Sequence, residues 1–169
     1  MAHSYLIISG TNRPKSNTLK IAELYRKSMR LKGMEPAFFS LEGWQWLEKN
    51  ASFEKVQQEI LVPADKYIFI LPEYNGSIPG VLKLMIDISN HKTVWPGKKA
   101  LLVGVSTGRA GNLRGLEHMT GILNFLHVVV HPNKLPISGV DKLFNQEGEM
   151  ADADTLMSID KQLNQFIDF

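Results

Sequence analysis

A polar loop near the start of the chain has side chains that suit a phosphate group. After the apolar run at residues 5–8, the sequence reads Gly10-Thr11-Asn12-Arg13-Pro14-Lys15-Ser16. Ser16 or Asn17 can cap a helix that begins here, and the unpaired backbone N–H groups of a helix N-terminus attract anions. Ser16 or Asn17 could also serve only as a cap, and Arg13 could be a solvated surface charge. The candidate phosphate ligands are Thr11, Arg13, Ser16, Asn17 and Thr18.

A second loop has residues that could bind a planar ring. It follows an apolar run at residues 67–71 and reads Pro72-Glu73-Tyr74-Asn75-Gly76-Ser77-Ile78-Pro79-Gly80. Gly76 lets the backbone approach a ligand, and Tyr74 can stack or form a hydrogen bond. Asn75 and nearby backbone N–H groups can address the carbonyl and nitrogen edge of a ring. The alternative is a tight turn between two prolines, built of good turn formers.

The elements around these loops predict that the loops meet. Five buried-type strands, at about residues 5–8, 37–41, 67–71, 100–105 and 128–130, alternate with helices. This alternation predicts an α/β fold with a doubly wound, five-stranded parallel sheet and helices on both faces. In the flavodoxin-like strand order 2-1-3-4-5, ligands bind outside the carboxyl ends of the strands, where the order reverses. The loops after strands 1, 3 and 4 should therefore converge on one crevice.

Composition limits the classes of chemistry that are open to the chain. Its 169 residues are 44% hydrophobic and 21% charged, which predicts one globular domain over residues 1–169. Because cysteine is absent, there can be no disulfide, thiolate-bound zinc, iron–sulfur cluster or cysteine nucleophile. A net charge of +2 is too balanced to indicate nucleic acid or an anionic membrane as the main partner. The sequence starts without a signal-peptide pattern, so we expect a cytoplasmic protein.

Common nucleotide and metal motifs do not occur in the sequence. Gly10 stands alone, without the G-x-G-x-x-G dinucleotide fingerprint, and no G-x-x-x-x-G-K-[ST] phosphate loop is present. A receiver domain with this strand order would need acidic residues after strand 1, where residues 9–12 have none. The histidines show no ligand spacing with carboxylates, so no metal site is predicted. They are His3, His91, His118, His127 and His131.

The loop after strand 3 begins a long motif that resembles a known family. Residues 72–83 read Pro-Glu-Tyr-Asn-Gly-Ser-Ile-Pro-Gly-Val-Leu-Lys, and Ile86-Asp87 follows. This is similar to the signature P-E-Y-N-x-S-x-P-G-x-L-K-N-x-I-D of the NADPH-dependent FMN reductases, a flavodoxin-like family of azoreductases and chromate or quinone reductases. The first loop resembles the family's phosphate loop G-S-x-R-x-x-S, with Thr11 in the place of Ser. Residues 106–112, Ser-Thr-Gly-Arg-Ala-Gly-Asn, resemble its third loop.

The resemblance implies an FMN-dependent NAD(P)H oxidoreductase. It implies that the FMN phosphate lies at the first loop, on the five candidate ligands named above. The isoalloxazine ring would lie against Pro72, Glu73, Tyr74, Asn75, Gly76 and Ser77, and Ser106, Thr107, Gly108 and Gly111 would close its other side. Hydride would pass from NADPH or NADH to FMN and then to a flavin, quinone, azo compound or metal oxyanion. Because the cofactor supplies the chemistry, no side chain is assigned as a catalytic acid, base or nucleophile.

The chain departs from the family pattern in two places. Leu84 replaces the usual Asn after the Leu-Lys pair, which we expect to affect helix packing or the subunit contact of a homodimer or homotetramer. Asn112 replaces the second Gly of the third loop; because Asn tolerates left-handed backbone, the turn can survive. A second hypothesis remains, namely a non-enzymatic flavin-binding electron carrier or a degenerate homologue that binds a partner. The slightly basic charge favours the enzyme, since small electron-transfer flavodoxins are usually strongly acidic.

Overall fold

A parallel sheet with the order β2-β1-β3-β4-β5 forms the centre of the molecule. The structure is a computed structural model that describes residues 4–169. Every pairing in the sheet is parallel, and β3, which is buried along its whole length, lies between β1 and β4. The predicted flavodoxin-like order 2-1-3-4-5 is confirmed. The strands are β1 (Tyr5–Ser9), β2 (Ala37–Ser40), β3 (Lys66–Pro72), β4 (Lys99–Val105), β5 (Val129–Val130) and β6 (Leu135–Ile137).

The helices begin where the sequence offers caps. Ser16 caps α1, Asn50 caps α2 and Asp152 caps α5, each through a side-chain oxygen that accepts a backbone N–H three residues later. The second helix is α-helical only to Val56 and continues as a π-helical turn over Gln57–Leu61. The helices are α1 (Asn17–Leu31), α2 (Ala51–Val56), α3 (Gly80–Ile88), α4 (Leu113–Phe125) and α5 (Ala153–Asp168), with a 3₁₀ turn over Val140–Lys142.

Helices cover both faces of the sheet, as the continuous apolar strands require. On one face, α1 and α5 pack on the sheet through residues such as Tyr25 and Leu163. On the other face, α3 and α4 pack through residues such as Leu82 and Met119. Because α1, α3 and α4 each follow a strand directly, their N-termini lie at the carboxyl edge of the sheet, where the three polar loops are.

The sheet has a sixth strand that the sequence analysis does not predict. Both β5 and β6 pair with β4: β5 lies beside Lys99 and Ala100, and β6 lies beside residues 103–105. Residues 131–134 leave the sheet between them, so β4 is flanked on this side by two short strands, of which only the first was predicted. The prediction missed β6 because it has three residues and contains Pro136, which a sheet tolerates at an edge.

A buried glutamine replaces the hydrogen bond that this gap removes from β4. The Gln162 Nε2 of α5 donates to the Leu102 carbonyl at 3.3 Å and to the Asn133 carbonyl at 2.8 Å. Its Oε1 accepts from the Tyr25 hydroxyl of α1 at 2.6 Å. Gln162 and Tyr25 are fully buried, so one side chain joins β4, the 131–134 segment, α5 and α1.

Candidate functional site

The three polar loops meet at one cleft of about 420 Å³ at the carboxyl edge of the sheet. This volume lies within the range of small-molecule sites, about 300–1,000 Å³. The loops come together because β1, β3 and β4 are adjacent parallel strands and therefore end at the same edge. The cleft is lined by Arg13, Pro14, Ser16, Asn17, Thr18, Pro72, Glu73, Tyr74, Asn75, Val105, Ser106, Thr107 and Val140.

The first loop presents hydrogen-bond donors that the fold leaves free. Ser16 Oγ accepts from the Leu19 backbone N–H at 3.1 Å, so the predicted capping role of Ser16 is real. The N–H groups of Asn17 and Thr18, in the first turn of α1, have no partner within the helix by its geometry. Together with the positive end of the helix dipole, they can accept an anion.

Arg13 lies at the same place and is not held by an acid. Its guanidinium carbon is 4.3 Å from the centre of the Tyr74 ring, which is a cation–π contact. Within the described part of the chain, residues 4–169, Arg13 forms no ion pair, whereas Arg26 pairs with Glu23 and Arg30 with Glu35. An exposed guanidinium without a carboxylate partner can bind a phosphate in bidentate fashion.

The second loop is a tight two-residue turn. Tyr74 and Ser77 exchange both backbone hydrogen bonds, at 2.9 and 3.1 Å. Between them, Asn75 and Gly76 have φ values of 52° and 78°, a conformation that Gly adopts without strain and that Asn tolerates well. Asn75 is therefore exposed at the tip of the turn, on the lining of the cleft. The two interpretations of this loop, a tight turn and a ligand contact, are compatible.

The first two loops are joined directly. Thr11 Oγ1 lies 2.5 Å from the Tyr74 hydroxyl, and it also accepts from the Arg13 backbone N–H at 3.3 Å. Thr11 is buried and does not line the cleft, and both of these contacts are within the protein. The contact holds the first loop beside the turn at Tyr74.

The third loop is folded on itself and on the end of β6. Ser106 Oγ accepts from the Gly108 backbone N–H at 2.9 Å, and the Ser106 N–H donates to the Ile137 carbonyl at 2.9 Å. Gly111 has a φ of 57° and packs so closely on Pro136 that a Cβ would overlap the proline. Gly108 and Gly111 thus shape the loop from outside the cleft, whereas Ser106 and Thr107 line it.

Asn112 connects the start of α4 to the end of β3, next to the cleft. It has a φ of 71° and caps α4, with Oδ1 accepting from the Gly115 N–H at 3.0 Å. Its Nδ2 donates to the Leu71 carbonyl at 2.8 Å, which links α4 to the end of β3. Asn112, which stands where the family usually has its second Gly, is fully buried and has left-handed backbone. The left-handed turn agrees with the expectation from the sequence, whereas the two side-chain hydrogen bonds were not predicted.

Replacing Asn112 with Gly tests this supporting role. Asn112→Gly keeps the left-handed backbone but leaves the Leu71 carbonyl and the Gly115 N–H without partners, so we expect the free energy of unfolding to fall by about 1–2 kcal/mol. Urea denaturation measures the change. Asn50→Gly is the matched control, because Asn50 only caps α2 and a Gly cap costs a few tenths of a kcal/mol, or roughly 0.3 kcal/mol. If the two variants lost the same free energy of unfolding, the proposed link between α4 and β3 through Asn112 would be contradicted.

The structure thus sorts the predicted site residues into two groups. Most of them line the cleft, but five lie beside it: Thr11, Gly76, Ser77, Gly108 and Gly111. Val105 and Val140 also line the cleft but were not predicted; Val140 does so because β6 returns the chain to this edge. The apolar run at residues 135–137, followed by Gly139, was the available signal.

The rest of the described chain has neither a metal cluster nor a membrane-spanning helix. Among residues 4–169, no three His, Asp or Glu side chains are grouped so that they could hold a metal ion. His131 is buried against Phe166 and Phe169, and burial lowers the pKa of its imidazole, while His3 lies outside the described residues. Over the same residues, no helix has the length and apolar character needed to cross a bilayer.

Comparison with known proteins agrees with this geometry. The NAD(P)H-dependent FMN reductase of Pseudomonas aeruginosa is 36% identical over 115 residues, which cover 65% of this chain and 60% of that protein. The quinone reductase of Escherichia coli K12 is 35% identical over 123 residues, which cover 70% of this chain and 65% of that protein. The chain thus spans less than two thirds of the length of these relatives.

A solved structure and a family model extend the comparison. The flavoenzyme NAD(P)H:(acceptor) oxidoreductase FerB from Paracoccus denitrificans superposes with a TM-score of 0.80 at 20% identity, over 98% of this chain and 96% of that one, which shows a shared fold. The model of the NADPH-dependent FMN reductase family matches residues 4–141, a range that includes all three loops. The chain therefore belongs to the NADPH-dependent FMN reductase family.

Proposed function

We propose that the protein is an FMN-dependent NAD(P)H oxidoreductase that passes electrons to a small-molecule acceptor. The observation that carries this proposal is that three groups line one cleft: a guanidinium without a carboxylate partner, the N-terminus of α1 and a tight turn. The first two suit a phosphate, and the third suits the edge of a flat ring. The single domain predicted over residues 1–169 would hold one FMN.

The residues present fit the phosphate end of FMN. The N–H groups of Asn17 and Thr18 and the guanidinium of Arg13 are donors without acceptors of their own, as a phosphate requires. Ser16 lines the cleft while its Oγ accepts from Leu19, so its hydroxyl hydrogen remains able to donate. Thr11 remains a predicted ligand of the phosphate loop, and its hydroxyl also contacts the Tyr74 hydroxyl.

The residues around the turn fit the ring end. Pro72 and Glu73 lead into the turn, and Asn75 at its tip has both an amide side chain and an exposed backbone. On the opposite wall, Ser106 and Thr107 supply hydroxyls. A ring held between these walls would meet fixed donors and acceptors, because Tyr74 is tied to Thr11 and Ser106 to Gly108.

The protein's part in such a reaction is to bind FMN, to orient its ring and to leave one face of the ring exposed. Bound FMN would supply the hydride chemistry. Because the cofactor would supply this chemistry, we assign no side chain as a catalytic acid, base or nucleophile. The side chains that line the cleft instead set the position of the ring and leave one face open to the co-substrate and to the acceptor.

The acceptor class and the electron source rest on the relatives. The Escherichia coli relative is named a quinone reductase and the Pseudomonas aeruginosa relative an NAD(P)H-dependent FMN reductase, which supports a quinone as acceptor and NADPH or NADH as donor. Flavins, azo compounds and metal oxyanions remain candidate acceptors. A cytoplasmic location would give the protein access to reduced nicotinamide coenzymes, and no nucleic acid or membrane partner is proposed.

One assay separates the enzyme from the electron carrier. Purified protein is mixed with FMN, NADPH and a quinone under anaerobic conditions, and loss of NADPH absorbance is followed with and without the protein. The enzyme predicts quinone-dependent NADPH oxidation. Tight FMN binding without NADPH consumption would contradict the enzyme and support the carrier. A folded protein that binds no FMN would contradict both.

We also propose a homo-oligomer, a homodimer or homotetramer, formed through a groove between α3 and α4. The groove measures about 630 Å³ and is lined by residues that include Ile86, Ile122 and Leu126. Phe125 stands in it with 83% of its surface exposed, which is unusual for a large apolar side chain. Lys83 and Asp87 pair at its edge, at 2.6 Å, and could exchange partners across a two-fold axis.

The oligomer is tested by light scattering after gel filtration. We expect wild-type mass to be a multiple of the chain's 19.0 kDa, and Phe125→Glu to shift the protein toward the monomer, because a charge would be buried in an apolar contact. Leu47→Glu is the control, since Leu47 is equally exposed, at 82%, but lies in the loop before α2. A monomeric wild-type protein would rule out the oligomer, and an unshifted Phe125→Glu would rule out this groove.

A further inference from the structure

We infer that His118, which the family motif does not include, positions the Tyr74–Ser77 turn for the flavin ring. His118 Nδ1 lies 2.8 Å from Ser77 Oγ, and His118 belongs to α4 while Ser77 closes the turn. The inference rests on the proposed function, since the turn is the proposed contact with the ring. His118 would act through Ser77 and is a positioning residue.

The turn is attached to the protein at both of its ends. At the first end, the Tyr74 hydroxyl contacts Thr11 Oγ1 at 2.5 Å. At the other end, Ser77 contacts His118. The tip between them, Asn75 and Gly76, has left-handed backbone. Because Asn75 lines the cleft, the orientation of its amide depends on how firmly both ends are held.

The contact between Ser77 and His118 can form in either charge state of the imidazole. A neutral Nδ1 without a hydrogen accepts from the Ser77 hydroxyl, and a protonated Nδ1 donates to Ser77 Oγ. The charged groups near His118 are Arg114 and Glu117 on its own helix and Lys83 on α3, which lines the same pocket as His118. The same two atoms are joined whichever of them donates, so the test depends on the position of the ring nitrogen.

Because the Ser77–His118 bond is exposed to solvent, a positioning role of His118 can be distinguished from a purely structural one. Both the bond and His118 are exposed to solvent, and exposed hydrogen bonds contribute little to global stability. A structural role would show itself in unfolding, whereas a positioning role would show itself in how FMN binds while the unbound protein stays equally stable. The two readouts are independent.

Two substitutions that keep a polar side chain show which imidazole nitrogen of His118 is needed. In His118→Asn, a side-chain polar atom falls near the position of Nδ1 and can still reach Ser77. In His118→Gln, the polar atom falls near Nε2 and cannot. Ser77→Ala removes the partner. FMN dissociation constants are measured by quenching of flavin fluorescence, and thermal unfolding is measured on the same proteins without flavin.

We expect His118→Gln and Ser77→Ala each to weaken FMN binding by about three- to tenfold, and His118→Asn to bind within about twofold of wild type. The double variant His118→Gln with Ser77→Ala should bind no more weakly than either single variant. Unfolding temperatures should stay within about 2 °C of wild type.

Three outcomes would overturn the inference. Equal FMN affinity in wild type, His118→Gln and Ser77→Ala would do so, as would equal weakening in His118→Asn and His118→Gln. A fall in unfolding temperature of more than about 5 °C in His118→Gln would assign a structural role instead. A wild-type protein that binds no FMN would overturn the proposed function itself, which is a different result.

Discussion

Replacing Arg13 with alanine is expected to weaken FMN binding by about 1.5–3 kcal/mol, or roughly 10- to 150-fold in the dissociation constant. Arg13 is the cation of the first loop that lines the cleft, and it has no carboxylate partner among residues 4–169. Its guanidinium is therefore free to form a charge-assisted contact with a phosphate. Titration of the variant with FMN measures the effect.

Two controls isolate the phosphate contact in this experiment. Arg30→Ala removes the same charge from the other end of α1, where Arg30 pairs with Glu35, and should leave FMN affinity unchanged. Riboflavin lacks the phosphate, so its weaker binding should be about the same in wild type and Arg13→Ala. An unchanged FMN dissociation constant in Arg13→Ala, or equal losses for FMN and riboflavin, would contradict a phosphate site at the first loop.

Replacing Gln162 with leucine is expected to lower the free energy of unfolding by about 3–5 kcal/mol. Leucine has a similar volume but leaves the Tyr25 hydroxyl and the carbonyls of Leu102 and Asn133 without the bonds that Gln162 makes. Tyr25 and Leu102 are fully buried, so water cannot replace the lost partner at these sites without entering the core. Urea denaturation gives the difference.

Gln165→Leu is the matched control for this substitution. Gln165 lies one helical turn away on α5, and its Oε1 accepts from the Asn133 side chain at 2.7 Å at an exposed position. We expect Gln165→Leu to change the free energy of unfolding by less than about 1 kcal/mol. If the two variants lost the same stability, Gln162 would not be the residue that closes the gap between β5 and β6.

Strands and helix caps could be predicted where they depend only on residues close together in the sequence. The buried runs at residues 5–8 and 67–71 became β1 and β3 because continuous apolar strands fit only the centre of a sheet with two covered faces. Ser16 and Asp152 cap their helices as their side chains allow. The meeting of three loops follows from strand order alone, once β1, β3 and β4 are adjacent and parallel.

Features that depend on distant partners were not predictable in this way. The contact of Thr11 with the Tyr74 hydroxyl, 63 positions away along the chain, could not be read from the first loop. Nothing in the local sequence marks Gln162 as buried; it is buried because residues 131–134 leave the sheet beside it. β6 was missed because three residues with a proline give too weak a signal for a strand.

Titration of the wild-type protein with FMN and with riboflavin tests the central claim most directly. If the three loops form one flavin site with a phosphate end at α1, one FMN should bind per chain, at least about tenfold more tightly than riboflavin. A folded protein that binds neither flavin at concentrations up to about 1 mM, or that binds both equally well, would contradict the account.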